Sequence, residues 1–440
     1  HSIPPSRIQS RIVGLDICRS VAIATVMLSH SITESGVYRH FDTDSGGLLW
    51  MGLVIQVAPP VFIILFGSIL EIVYRPRIDA GQGREATTRL LTRAVQCYLL
   101  YVLTLVAMWA AGLNSFAYMV RCALFMGVTP YADILKFYAL ALAFAPLLLF
   151  LRTRMGLPAL AIAALAIHAT HPLISQIIVP GDTRLAEYAN PVIGFLIGGN
   201  QTDLGGPSLL HGLTFVVWGM LLGRIVTILT REAENRKAVL NAIGALLVMF
   251  GVALAVMVIF WNQDVPGQTL RELGNMELRN QNHPIYFAYG MMGAMAAIMA
   301  FLVFYDANRM RFGRSIGFAG ATSLFTFSFG NALLYLAPQL DLSPAATWAY
   351  AVFLFLLIGA QSYAFYWLQT RRPDEPHRLV TRFQSALAAM NQAVQRFAQR
   401  LAPRYAGLLG WGRASGQAQT ASGPAKATLY APDDPARQNR

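Results

Sequence analysis

The sequence predicts an all-α, polytopic membrane protein with about ten transmembrane helices, N-in and C-in, plus a C-terminal amphipathic helix. Three observations predict this. Of 440 residues, 55% are hydrophobic and only 13% charged, with mean hydropathy +0.47; a soluble domain carries about 25% charged residues. Apolar runs of about 20 residues, the length that spans a bilayer core, recur along the chain. With the N-terminus placed inside, the loops alternate in charge, eighteen basic residues on the inner side against five on the outer. That bias follows the positive-inside rule and would be scrambled by a miscounted span.

Taken in order, the spans fall at about 12–33, 49–73, 90–111, 131–151, 156–178, 208–230, 238–261, 284–305, 315–336 and 345–368. Residues 1–11 form a cytoplasmic N-terminus and 12–370 the membrane domain. Pro59 and Pro60 kink or break the second span near its start. Ser115–Val128 is apolar but too short to cross and reads as re-entrant or interfacial. In 377–405, Phe383, Leu387, Met390, Val394, Phe397 and Leu401 follow a 4-3-4-3-4 spacing beside five arginines. This is a basic amphipathic helix, read as lying on an anionic leaflet; a self-association coil, and with it a homo-oligomer, is the alternative. Residues 412–440 are rich in Gly, Ala, Ser, Pro and Gln and read as disordered.

The net charge of +12 sorts into loops and tail, so it marks orientation in a lipid bilayer rather than a nucleic-acid partner. Cys18, Cys97 and Cys122 are odd in number and lack metal spacing, which predicts neither a disulfide framework nor a zinc site. Ile12–Ser31 does not read as a cleaved signal, because Asp16, Arg19 and His30 interrupt its apolar region. With no internal repeat and no soluble enzymatic domain in the pattern, any chemistry belongs to the membrane domain.

The first span, IVGLDICRSVAIATVMLSHSITES, concentrates that chemistry. It carries Asp16, Arg19, His30 and Glu34. Ionisable groups at membrane depth are costly and mark functional sites. Helix geometry returns His30 to the face of Arg19, about 16 Å further along the axis. The topology puts Asp16 and Arg19 toward the cytoplasm and His30 and Glu34 toward the outside. A satisfied core histidine is the bland reading of His30. A general base oriented by an acid is the functional one, and Glu34, one turn on, is the nearest acid unless it is a solvated loop residue. Arg89 and Arg93, with Arg75 before them, read either as inner-face anchors or as a phosphate clamp. Asp133, Lys136, His168, His171, His211 and His283 gather toward the outer ends of their spans, where interfacial placement is the ordinary explanation. His168 and His171 lack a further ligand by spacing, so no metal is expected. The stripe Ser315, Thr322, Ser323, Thr326, Ser328 and Asn331 lines a polar passage or serves helix-to-helix hydrogen bonding.

The segment GLDICRSVAIATVMLSH, with Leu15, Asp16, Arg19 and, after ten residues, His30, resembles the first helix of the acyltransferase type 3 membrane proteins. PPVFIILFGSILEIVYRPR and RLLTRAVQCYLLY resemble the family's second helix and the Arg-rich entry to its third. ADILKFYALALAFAPLLLFLRTR is similar to the branch of osmoregulated periplasmic glucan succinyltransferases. The resemblance covers roughly residues 8–370. Ser20 and Val21 stand where a Gly-rich step often follows the arginine. The resemblance implies an acyl-CoA-dependent O-acyltransferase in a bacterial inner membrane, with succinyl-CoA or acetyl-CoA as donor. Arg19 and His30 would act at the reacting group with Glu34. The donor would be held by Asp16, Arg75, Arg89 and Arg93. A glycan acceptor would meet Asp133, His283, Trp50 and Tyr131 on the outer face. A secondary transporter or flippase is the competing reading, and would favour broken helices and half-to-half symmetry. A non-catalytic membrane scaffold gives Arg19 and His30 no reason to share a face.

Overall fold

The computed structural model describes residues 12–42, 46–199, 206–262, 265, 267–370 and 378–411. The expected N-terminus 1–11, the linker arginines Arg371 and Arg372, and the tail 412–440 lie outside the described residues. The principal helices are α1 Val13–Glu34, α2 Gly46–Asp79, α3 Gly83–Ala110, α4 Asp133–Ala169, α5 Arg184–Ile197, α6 Leu209–Arg231, α7 Arg236–Phe260, α8 Pro284–Ala307, α9 Ser323–Leu336, α10 Pro344–Thr370 and α11 Arg378–Leu408. No strand occurs among the described residues. Eight of these helices, α1 to α4, α6 to α8 and α10, are long and apolar enough to cross a membrane. The chain is a helical, polytopic membrane protein.

Burial orders the bundle. In their most apolar windows, α2 and α6 are 72% and 67% buried, whereas α7 and α10 are 11% and 22% buried, so α2 and α6 are central and α7 and α10 peripheral. The central pair meets through glycine. A Cβ on Gly67 would lie 2.1 Å from the Val216 carbonyl oxygen, and one on Gly219 would lie 2.2 Å from that of Ile64. Small residues let transmembrane backbones approach this closely and pack by dispersion. Ser68 Oγ donates to the Gly219 carbonyl at 2.9 Å across the same seam.

The prolines act as expected. α2 breaks after Ile55 and restarts at Ala58, with Pro59 in the first turn of the new segment, where the missing N–H costs nothing. A five-residue π segment, Leu70–Tyr74, follows. It holds buried Glu71 against Arg152 at 2.9 Å.

Helix α4 is 37 residues long, about 55 Å if straight and too long for one crossing. It folds back at Gly156, whose φ of 85° and ψ of 164° are non-helical. Phe137 near its start packs on Gly212. His168 near its end bonds Thr214 Oγ1 at 2.9 Å. Positions 31 apart in sequence thus meet the same turn of α6, which requires a reversal between them. The left-handed φ is open to glycine at no steric cost.

Helix α1 runs between α2, α8, α9 and α10. Its first turn is capped from a distance: the Asp306 carboxylate accepts the Val13 and Gly14 N–H groups at 2.9 and 2.8 Å. An acid at a helix N-terminus is favoured by both hydrogen bonding and the helix dipole. Ser20 Oγ accepts the Gly320 N–H at 2.9 Å, so the serine at the expected Gly-rich step anchors the Gly317–Ala321 turn onto α1. The short segment expected near residues 115–128 contains the eight-residue helix Phe116–Ala123.

Candidate active site

His30 lies one turn from the C-terminal end of α1 and is half-buried. Its Nδ1 is 2.8 Å from Asn331 Oδ1 on α9. The Asn331 amide nitrogen faces the Tyr131 carbonyl oxygen at 3.4 Å, which fixes the amide with its oxygen toward the imidazole. An acceptor oxygen at Nδ1 requires the proton there, leaving the Nε2 lone pair free for chemistry. Aromatic rings hold the imidazole on two sides: Tyr131, with centroids 4.5 Å apart, and Phe327, at 5.7 Å. Tyr131 keeps a left-handed backbone, φ 62°. A non-glycine residue there stores strain that the surroundings must hold.

Glu34 is elsewhere. Its carboxylate accepts from the Gln339 amide and lies within electrostatic range of Tyr131. The group against His30 Nδ1 is therefore Asn331 rather than Glu34, because the side chain one turn on leans toward the end of α9 instead of back along α1. The sequence showed Asn331 as the last member of a polar stripe, and nothing in that pattern singled it out from Ser328 or Thr326.

Arg19 sits within electrostatic range of Tyr138 on α4. Arg19 Nη1 lies 4.0 Å from the Asp16 carboxylate, with both side chains about one-quarter exposed. The other expected donor-binding residues hold local partners. Arg75 pairs with Asp79 at 2.9 Å and donates to Thr153 Oγ1. Arg89 pairs with Glu85 at 2.6 Å. Arg93 donates to the neutral Gln96 at 3.3 Å.

The expected acceptor set separates. Asp133 is buried and neutralised by Lys136 at 2.9 Å, and it accepts from Thr129 Oγ1 at 2.8 Å. Trp50 is 64% exposed on Gly46–Ile55. His283 caps α8, its Nδ1 accepting the Ile285 N–H at 3.3 Å. It also lines a polar pocket of about 560 Å³ with Trp261, Asn262, Thr269 and Glu272. Burial lowers its pKa below the ordinary imidazole value, His171 adding in the same direction and Glu272 opposing. His168, His171 and His211 lie together. His211 lies 5.7 and 5.4 Å from the rings of His168 and His171. Its Nδ1 is fixed by Ser208 Oγ at 2.8 Å.

Arg279, counted in the sequence as one of the outer-loop basic residues, lies within electrostatic range of both His30 and Asp133. It is half-buried on the single turn Glu277–Asn280. Met276 and Asn282 flank that turn with φ of 70° and 55°. No charge pattern marked it, because a lone arginine in a loop looks like any other.

The sequence matches no protein-family model and no curated protein.

Proposed function

We propose that this protein is a membrane-embedded O-acyltransferase of the acyltransferase type 3 kind, moving an acyl group from cytoplasmic acyl-CoA to a hydroxyl of an extracytoplasmic glycan. The observation that carries the proposal is the Asn331–His30 hydrogen bond, which assigns the free lone pair to Nε2. In this reading Nε2 takes the acceptor hydroxyl proton as the oxygen attacks the thioester carbonyl. The C–O bond forms, the C–S bond breaks, and the departing thiolate receives the proton from the imidazolium. Asn331 holds the tautomer through the cycle, the role an acid plays in other base constellations.

The donor enters from the cytoplasmic end, its phosphates against the arginines there. Among Arg75, Arg89 and Arg93, it is Arg93 that is exposed and has a neutral partner rather than a carboxylate. Its pantetheine arm passes Arg19 and brings the thioester to His30, about 16 Å deeper. The acceptor is held at the polar pocket beside His283. This route needs ten crossings with both termini inside. The reversal of α4 at Gly156 and the short apolar helix α9 support two crossings beyond the eight long helices, and the bias of the loop charges supports that direction. The bilayer is then a bacterial inner membrane. Purified protein supplied with labelled succinyl-CoA or acetyl-CoA and a glucan is expected to transfer label, and His30→Ala to lose transfer by 10²- to 10⁴-fold. Full transfer by His30→Ala would remove the proposed base, and failure to use either CoA ester would favour a transporter.

A further inference from the structure

Helix α11 has three distinct faces. On a helical wheel with Met390 at zero, Val394, Ala398, Ala402, Ala406 and Leu409 fall between about 40° and 160°; all five are at most 7% exposed. This face docks on the bundle. Ala398 and Ala402 pack on Leu91 of α3. Gln96 donates to Asn391 Oδ1 at 3.0 Å, and the Tyr405 hydroxyl donates to the Ala143 carbonyl at 3.0 Å. The 4-3-4 stripe read from the sequence is mostly not the docked one. Met390, Phe397 and Leu401, with Leu408, fall within about 20° of zero and are 55%, 51%, 45% and 85% exposed. Arg378, Arg382, Arg396, Arg400 and Arg404 occupy the third face, at about 240° to 320°, and all are exposed. Residues 378–408 contain no Asp or Glu, and none of these arginines has an ion-pair partner among the described residues.

We propose that α11 is an anionic-phospholipid site: its Met390–Phe397–Leu401–Leu408 stripe enters the acyl-chain boundary while the adjoining arginine stripe binds lipid phosphates. Both surfaces are needed by one ligand that is apolar at one end and anionic at the other. The order of faces around the helix, protein then hydrocarbon then cation, matches a helix held at the rim of a membrane bundle. A second copy of α11 fits less well, since it would bring five further arginines and no carboxylate to meet them. The lipid would bind between bundle and bilayer, strapping α11 to α3. The inference does not depend on the chemistry at His30.

The test uses the full-length protein in mild detergent, titrated with phosphatidylglycerol or phosphatidylcholine and followed by native mass spectrometry and thermal unfolding. Phosphatidylglycerol is expected to be retained preferentially, with an affinity that falls as NaCl rises. The triple variant Arg396→Gln, Arg400→Gln, Arg404→Gln is expected to lose at least tenfold in that affinity, since each arginine near an anionic surface contributes about fivefold. Phe397→Ser with Leu401→Ser is expected to weaken retention of both lipids. These positions are exposed, so the docked face is left intact. On otherwise wild-type protein, a spin label at Leu408→Cys is expected to be accessible to oxygen in phosphatidylglycerol vesicles. Equal lipid retention by the triple variant would overturn the proposal, as would a label accessible to aqueous relaxants alone. A serine variant that turns a dimer into a monomer with unchanged lipid binding would overturn it in favour of a self-association coil, and equal stabilisation by inorganic phosphate would reduce it to a simple anion site.

Discussion

An amide oxygen at His30 Nδ1 directs the proton without offering the charge of a carboxylate. Asn331→Ala frees the imidazole to rotate and change tautomer, and is expected to lower kcat by about 10- to 100-fold with less effect on KM, the range seen when a group that orients a histidine is lost. Glu34→Gln is expected to leave kcat within a few-fold, since its carboxylate is bonded to Gln339 and not to the imidazole. A transfer assay on the two variants decides which residue orients the base. His283 offers a separate prediction at this scale. It is held neutral, its Nδ1 accepting a backbone N–H, and burial lowers its pKa. Below about pH 6.5 the unfolded chain takes up a proton there that the folded protein refuses. Stability is therefore full above that pH and declines as pH falls, by at most about 1.4 kcal/mol per pH unit for this one group. His283→Asn keeps a capping acceptor without titrating, and is expected to flatten the pH dependence of the unfolding temperature. The sequence located His30 by its spacing from Arg19, a property of one helix. Asn331 is 301 positions away, and no local pattern reports a partner supplied by tertiary packing.

Elements carry the tightest constraints where α2 meets α6. Gly219 has a carbonyl where its Cβ would be, so Gly219→Leu forces the two central helices apart. It is expected to cost at least the 1–3 kcal/mol typical of overpacking, read as a lowered unfolding temperature in detergent, while the same change at the open Gly251 position is expected to be mild. Glu71→Ala leaves Arg152 half-buried without its carboxylate and is expected to cost about 3–5 kcal/mol, whereas Glu71→Ala combined with Arg152→Leu is expected to recover much of it. Hydropathy located the eight long apolar helices, because apolar length is a direct physical requirement of the bilayer; the spans expected at 156–178 and 315–336 correspond to the end of α4 after Gly156 and to the 14-residue α9. It also placed the break at Pro59, since proline acts through its own ring. It did not reveal the π segments at Leu70–Tyr74 and Val303–Ala307, whose carboxylates Glu71 and Asp306 are held by Arg152 and by the start of α1. It also put the weight of α11 on its large apolar residues, although alanines form most of the buried face; small residues dock helices by proximity, which a hydrophobic pattern undervalues.

For the whole molecule, the proposed function gives the bundle a direction. Arg19 and His30 mark two depths of one helix, the reversal at Gly156 returns α4 to the level of His168 and His211, and α11 closes over α3. The loop charges give the sequence an expected orientation, because membrane orientation is an electrostatic preference written in composition. Which of the expected acceptor residues come together was not legible: Trp50 and Asp133 do not line the pocket of His283, Arg279 lies within electrostatic range of His30, and only three-dimensional packing decides such membership. The central claim is that acyl transfer crosses the bilayer through His30. Its most direct measurement uses sealed proteoliposomes of known orientation, with labelled acyl-CoA on the face bearing Arg93 and glucan on the face bearing His283. The account predicts label on the glucan when donor and acceptor are on these opposite sides, no label when the donor is moved to the glucan side, and none with His30→Ala. Equal labelling from either side, or labelling undiminished in His30→Ala, would contradict it.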